Sequence, residues 1–192
     1  MAITQEEVNK DIRMLVDSIE DGNRPLVSPV QALKISMLWP LSCAAVYAIA
    51  VSWAIYNFTP HIDNFDNMTT LTGEYGFVLA ACSLAIVFCL FIGASLYGPA
   101  LAYLSLSEEA RDKSLIIRRL KKVTLKVGGF FLLCNLGIAV LSIKFPSVLV
   151  ISPFSIIVSF LITQGVVGAE AARYGISSIF GKVRMDTLSQ QP

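Results

Sequence analysis

Residues 75–107 read YGFVLAACSLAIVFCLFIGASLYGPALAYLSLS, without one charged side chain. As a helix this stretch is about 50 Å long at 1.5 Å per residue. A helix crosses the roughly 30 Å hydrocarbon core of a bilayer with about 20 apolar residues. The stretch therefore reads as a spanning helix that runs on past one membrane edge, with a kink expected at Pro99, which follows Gly98. Three more uncharged stretches flank it, from Ile35 to Pro60, Val127 to Ile143 and Phe145 to Ala169. Hydrophobic residues make up 55% of the chain and charged ones 15%, with a mean hydropathy of +0.66, which places it outside the range of ordinary soluble domains.

The cations are sorted around these stretches. Lys10, Arg13, Arg24 and Lys34 precede the first stretch, and none lies between the first and second. Arg111, Lys113, Arg118, Arg119, Lys121, Lys122 and Lys126 lie between the second and third, and Arg173, Lys182 and Arg184 follow the fourth. With four crossings, alternate segments share a side, so of the 15 cations only Lys144 falls on the other one. The positive-inside rule assigns the cation-rich side to the cytoplasm. The expected fold is an all-α membrane protein with four transmembrane helices, cytoplasmic N and C termini and an N-terminal amphipathic helix. Residues 1–34 form the cytoplasmic segment. Residues 35–192 form the transmembrane domain, with a cytoplasmic helical hairpin at 105–126 and a short polar tail. Residues 1–34 have no apolar signal core, so the first span is expected to act as its own insertion signal.

Local patterns refine this plan. Thr4 and Glu7 have capping-box spacing, Val8, Ile12, Leu15 and Ile19 make one apolar stripe, and Asp21-Gly22 is the expected stop. That stripe fits docking on the bundle or headgroups, or a partner protein. A linker holding Pro25 and Pro29 leads to the first span, where Pro40 is expected near the helix start. Trp39, Trp53 and Tyr56 suit the interfaces. Ala44, Ala48 and Ser52 offer one small-residue packing face, and Ala81, Ala85, Cys89 and Gly93 another. Ser107-Glu108-Glu109 reads as a helix start, and the basic run to Lys126 as a helix returning into the third span, with headgroup contact and a partner site as its two readings. A short external turn at Lys144-Phe145-Pro146-Ser147 joins the last two spans, and Gly128, Gly129 and Gly137 thin the third. Glu170 and Arg173 have pairing spacing.

The chemistry of transport and catalysis is missing from this pattern. No Asp, Glu, Lys, Arg or His lies near the centre of a span, where charge transfer would need it. His61, the single histidine, sits in an acidic outer loop with Asp63, Asp66 and Glu74, and reads as a surface residue. Cys43, Cys82, Cys89 and Cys134 all fall inside spans without a CxxC pair and read as small packing residues. Asn57-Phe58-Thr59 and Asn67-Met68-Thr69 match the glycosylation pattern, which short loops meet by chance. Asn135 and Gln164 read as interhelical glue, while Ser155, Ser159 and Thr163 line one side of the fourth span. No catalytic, cofactor-binding or metal residue is assigned, no cofactor is expected, and the basic residues track the membrane edge rather than a nucleic acid. Partner contacts and oligomeric state are left open.

Ile3-Thr4-Gln5 at the start, Asp21-Gly22 after the first helix, Ser28 with Gln31-Ala32-Leu33-Lys34, and Ala172-Arg173-Tyr174 after the last span carry a resemblance. The whole-chain layout resembles the TraS-type entry-exclusion proteins of F-like conjugative plasmids. That resemblance implies a multi-pass protein of the bacterial inner membrane that recognises the TraG mating protein of a donor cell and blocks redundant DNA transfer. It implies protein recognition without catalysis, and membrane lipids as the surroundings. Two other readings stay open: a small channel or transporter subunit, marked by a polar seam through the bundle, and an accessory subunit of a larger membrane complex.

Overall fold

The computed structural model describes residues 4–20, 27–62 and 67–175. Among the described residues six helices make the framework: α1 (Gln5–Glu20), α2 (Pro29–Tyr56), α3 (Leu71–Ser105), α4 (Glu108–Lys113), α5 (Leu115–Leu141) and α6 (Ser152–Arg173), the last entered through a 3-10 turn, Pro146–Ile151. Four segments are long and apolar enough to cross a membrane: α2, α3, α5, and α6 with its 3-10 turn. The expected stop at Asp21-Gly22, the linker residue Pro25, the loop acids Asp63 and Asp66, and the tail cations Lys182 and Arg184 lie outside the described residues.

Around the bundle the neighbours run α2, α3, α6, α5, and α5 closes back on α2. Cross-bonds set the directions. Trp39 meets Gly128 and Tyr47 meets Asn135, so α2 and α5 run parallel. Cys82 meets Ser152, so α3 and α6 run parallel. Met37 lies against Gly93, so α2 and α3 oppose each other. The starts of α2 and α5 therefore share one end of the bundle with the finishes of α3 and α6. Helices α1 and α4 pack against α5 at that same end.

The seams are built from residues spaced mostly three or four apart. On α2 the buried positions are Ala32, Ser36, Pro40, Cys43, Tyr47, Ala50 and Ala54, and on α3 they include Val78, Cys82, Ala85, Cys89, Ile92 and Gly93. Such spacings keep one face of each helix turned into the bundle. The α3 stripe is borne out at Ala85, Cys89 and Gly93, with Ala81 half-buried. The α2 face is a correction: Ala44 is half-buried while Ala48 and Ser52 are exposed, and the real seam lies one residue round the helix. Size alone misplaced it, because Tyr47, a large residue, is drawn into the seam by a buried hydrogen bond to α5.

Helix ends differ from expectation at the start of α2 and through the hairpin, each with a local cause. Helix α2 begins at Pro29 instead of Ile35, because proline at the first helical position gives up an N–H that has no partner there anyway. Pro40 is consequently interior and fully buried. In water an interior proline costs about 3 kcal/mol; within a spanning helix its neighbours tolerate it. The expected single helix through the hairpin is two: α3 ends at Ser105, Ser107 caps the short α4 through Ala110 N–H (3.0 Å), and the chain breaks at Ser114. The turn after α5 is as short as expected, residues 142–145, and the fourth span opens on the 3-10 turn, which buries Leu149 against the core.

Candidate functional site

Two groups of side chains stand out from the apolar packing. The first lies at the middle of the bundle, because Tyr47 and Asn135 sit midway along the uncharged stretches 35–60 and 127–143. Tyr47 Oη donates to Asn135 Oδ1 (2.6 Å), and Ser155 Oγ donates to the same oxygen (3.1 Å). Asn135 Nδ2 donates to the Phe131 carbonyl (2.7 Å) and to Ser159 Oγ (3.2 Å). The amide thereby uses two donors and two acceptor positions, its full capacity. Ser159 and Thr163 then bond back along α6, to the carbonyls of Ser155 (2.6 Å) and Ser159 (2.7 Å). Asn135 is thus the glue expected of it, joining α2, α5 and α6. Gln164, expected to do the same, is exposed.

Among the described residues no buried side-chain nitrogen or oxygen lacks a partner. A closed set of this kind holds helices in register, since in a dry interior each broken bond leaves an uncompensated polar group. Trp39 adds a second tie through its indole N–H to the Gly128 carbonyl (3.1 Å). The expected hydroxyl row on α6 is present, but its groups bond to Asn135 and to their own helix.

The second group lies at the end that carries α1 and α4. Thr4 and Glu7 form both capping-box bonds, Thr4 N–H to Glu7 Oε2 (2.9 Å) and Glu7 N–H to Thr4 Oγ1 (3.3 Å). Hydrogen bonding from Thr4, its backbone N–H first, holds the exposed Glu7 carboxyl below its ordinary range. Val8, Ile12 and Leu15 are half-buried on the inner side of α1. Among them lies Asp11, 7% exposed. Its carboxylate accepts from Ser114 Oγ (2.8 Å), Ile116 N–H (2.9 Å) and Leu115 N–H (3.3 Å). A residue of α1 thus caps the start of α5, where free N–H groups and the helix dipole favour negative charge. Ser114 supplies its own cap to Ile117 N–H (3.1 Å). Ser107 N–H donates to Ser18 Oγ (3.2 Å), fixing the far end of α1 to the start of α4.

Asp11 was missed in the sequence, although the signal existed: it lies three residues after Val8 and four before Leu15, inside the apolar stripe. The remaining charges at this end are sorted. Arg111 stacks over Tyr103 (5.4 Å) and approaches Glu108 (3.7 Å), and Lys113 pairs with Glu109, whose carboxyl is held low chiefly by that hydrogen bond. The expected Glu170–Arg173 pair forms (3.8 Å), and Glu170 also takes Arg119 (3.3 Å) and the Tyr174 hydroxyl (2.8 Å), tying α6 to α5. Burial, then the Glu170 carboxylate, pushes the Tyr174 phenol up.

At the opposite end, His61 is exposed, touches Thr69 through its ring (3.2 Å) and lies 3.9 Å from Glu74, which sits in the first turn of α3. The Thr69 N–H bond to the His61 carbonyl (2.8 Å) closes the loop on itself. Cys43, Cys82 and Cys89 are buried, whereas Cys134 faces outward; among the described residues no three His, Cys, Asp or Glu side chains converge as metal ligands would. No family model, no curated protein and no solved structure matches this chain.

Proposed function

We propose that the chain is a multi-pass protein of the bacterial inner membrane, with both termini and the α1–α4–α5 platform in the cytoplasm, and that it acts by recognising a protein. The specific reading is exclusion: it recognises the donor's TraG mating protein and blocks redundant conjugative transfer. The charge distribution supports the orientation, and the resemblance in layout supports the partner.

The observation that carries recognition over chemistry is the docking of α1. Outside the spanning segments, the helices α1 and α4 lie together at one end, held by Asp11 on the start of α5. That makes a built polar surface of defined shape. The mid-bundle polar groups, which a channel or transporter subunit would use for a wet seam, bond to one another instead.

The test is a mating assay. Recipients carrying the chain should accept a plasmid of the matching type less often than recipients lacking it, and should accept a mismatched plasmid equally well. Swapping residues 1–34 or 107–126 with a homologue of other specificity should transfer that specificity. Transfer by residues 59–74 alone would move the recognition face to the outer loop, and equal transfer into both recipients would end the exclusion reading. An accessory subunit would instead co-purify with a resident complex whether or not donors are present.

A further inference from the structure

The seven cations between α3 and the apolar part of α5 are not one undifferentiated belt. Arg111, Lys113 and Arg119 are taken by Glu108, Glu109 and Glu170. Arg118, Lys121, Lys122 and Lys126 are exposed and have no carboxylate partner among the described residues. Helical spacing gathers these four on one exposed arc of α5, turned away from the buried Ile116 and flanked on the Lys121 side by the buried Gly128. Together with Leu125 they line a single shallow groove.

What lies beside that groove identifies its occupant. One turn further along α5, Gly129 leaves open space, since a Cβ added there would meet nothing within 4 Å. Beyond it the same outward face is apolar and exposed, with Leu133, Leu136 and Val140. Cations spread over about 12 Å of the helix, whose long side chains can converge on one phosphate, then an open position just past them and an apolar strip continuing along the helix match the order of phosphate, glycerol and acyl chain in a phospholipid. A soluble acidic protein would match the cations but not the strip.

We propose that this face of α5 is a binding site for an anionic phospholipid of the phosphatidylglycerol type, the phosphodiester on Arg118, Lys121, Lys122 and Lys126 and an acyl chain passing over Gly129. The site depends on the chain spanning a membrane and on no protein partner, so it stands or falls separately from exclusion.

The test uses delipidated full-length protein in a neutral detergent, titrated with phosphatidylglycerol and with phosphatidylcholine and read by native mass spectrometry. The wild type should prefer phosphatidylglycerol. Lys121→Gln/Lys122→Gln should reduce that preference by roughly thirtyfold, two surface cations' worth of headgroup attraction. Arg119→Gln, whose side chain is engaged by Glu170, should leave it largely intact. Gly129→Leu keeps every charge, and should weaken phosphatidylglycerol while leaving inorganic phosphate unaffected. No preference in the wild type, an unchanged preference in the double variant, or inorganic phosphate competing as well as the lipid would each overturn the proposal; the last would mark a site for free anions.

Discussion

Asn135 shows how much one side chain can determine in an otherwise apolar bundle. Its amide is the shared partner of Tyr47, Ser155 and Ser159, and so connects three helices. Asn135→Leu removes those bonds and strands the Tyr47 and Ser155 hydroxyls. Hydrogen bonds between spanning helices are worth about 0.6 kcal/mol on average, with a maximum near 1.7. A hub should fall toward the upper end, so the variant should lose about 1–2 kcal/mol in a detergent unfolding titration. Gln164→Leu, on an exposed position, should lose almost nothing. Equal midpoints for the two variants would remove Asn135 from the role of hub. Asp11 is the matching residue at the bundle end. Asp11→Ala should release α1 and cost about 1 kcal/mol, the usual worth of a helix cap. Faster amide exchange at Ile116 would report it directly, because that N–H donates to Asp11. Asp11→Asn keeps an acceptor and should fall between wild type and Asp11→Ala.

At the scale of the element, the pairing of α2 with α3 depends on small residues meeting across the seam. Ala85 is completely buried, and a Cβ placed on Gly93 would collide with the Met37 thioether. Val87, two residues from Ala85, is exposed and faces away. Ala85→Leu should therefore destabilise the protein by about 1–3 kcal/mol, the usual cost of overpacking. Gly93→Leu should do so by less, because Met37 is flexible and can give way. Val87→Leu should be neutral. The order of the three melting temperatures in detergent checks the seam, and equal values would mean the helices do not meet there. The same logic explains α4. Its six residues are too few to hold themselves together, so the helix persists through its Ser107 cap and its packing on α1 and α5.

For the whole molecule, the question is which way the bundle lies. The proposed orientation puts Lys122 in the cytoplasm and Met68 outside, both exposed. In a background with Cys134→Ser, a membrane-impermeant thiol reagent on intact cells (with the outer membrane permeabilised) should label Met68→Cys and spare Lys122→Cys. The reverse pattern would invert the protein. The buried positions of Cys43, Cys82 and Cys89 keep the native thiols from obscuring the result.

The uncharged run 75–107 and its three companions were enough to establish four long apolar helices, because the cost of an unpaired charge or backbone group in hydrocarbon leaves few other solutions. Capping signals were legible for the same local reason: Thr4 with Glu7, and Ser107, bond to N–H groups within their own first turn. What the sequence could not show was which face of each helix turns inward. Ala44, Ala48 and Ser52 look as suitable for packing as the residues that are buried, and the choice between them rests on Tyr47 reaching Asn135, 88 positions away. Asp11 on α5 is the same kind of fact, joining residues 105 apart. Local sequence carries the energy of a turn or a span. The pairing of distant polar groups belongs only to the assembled bundle, where each finds the single partner that satisfies it.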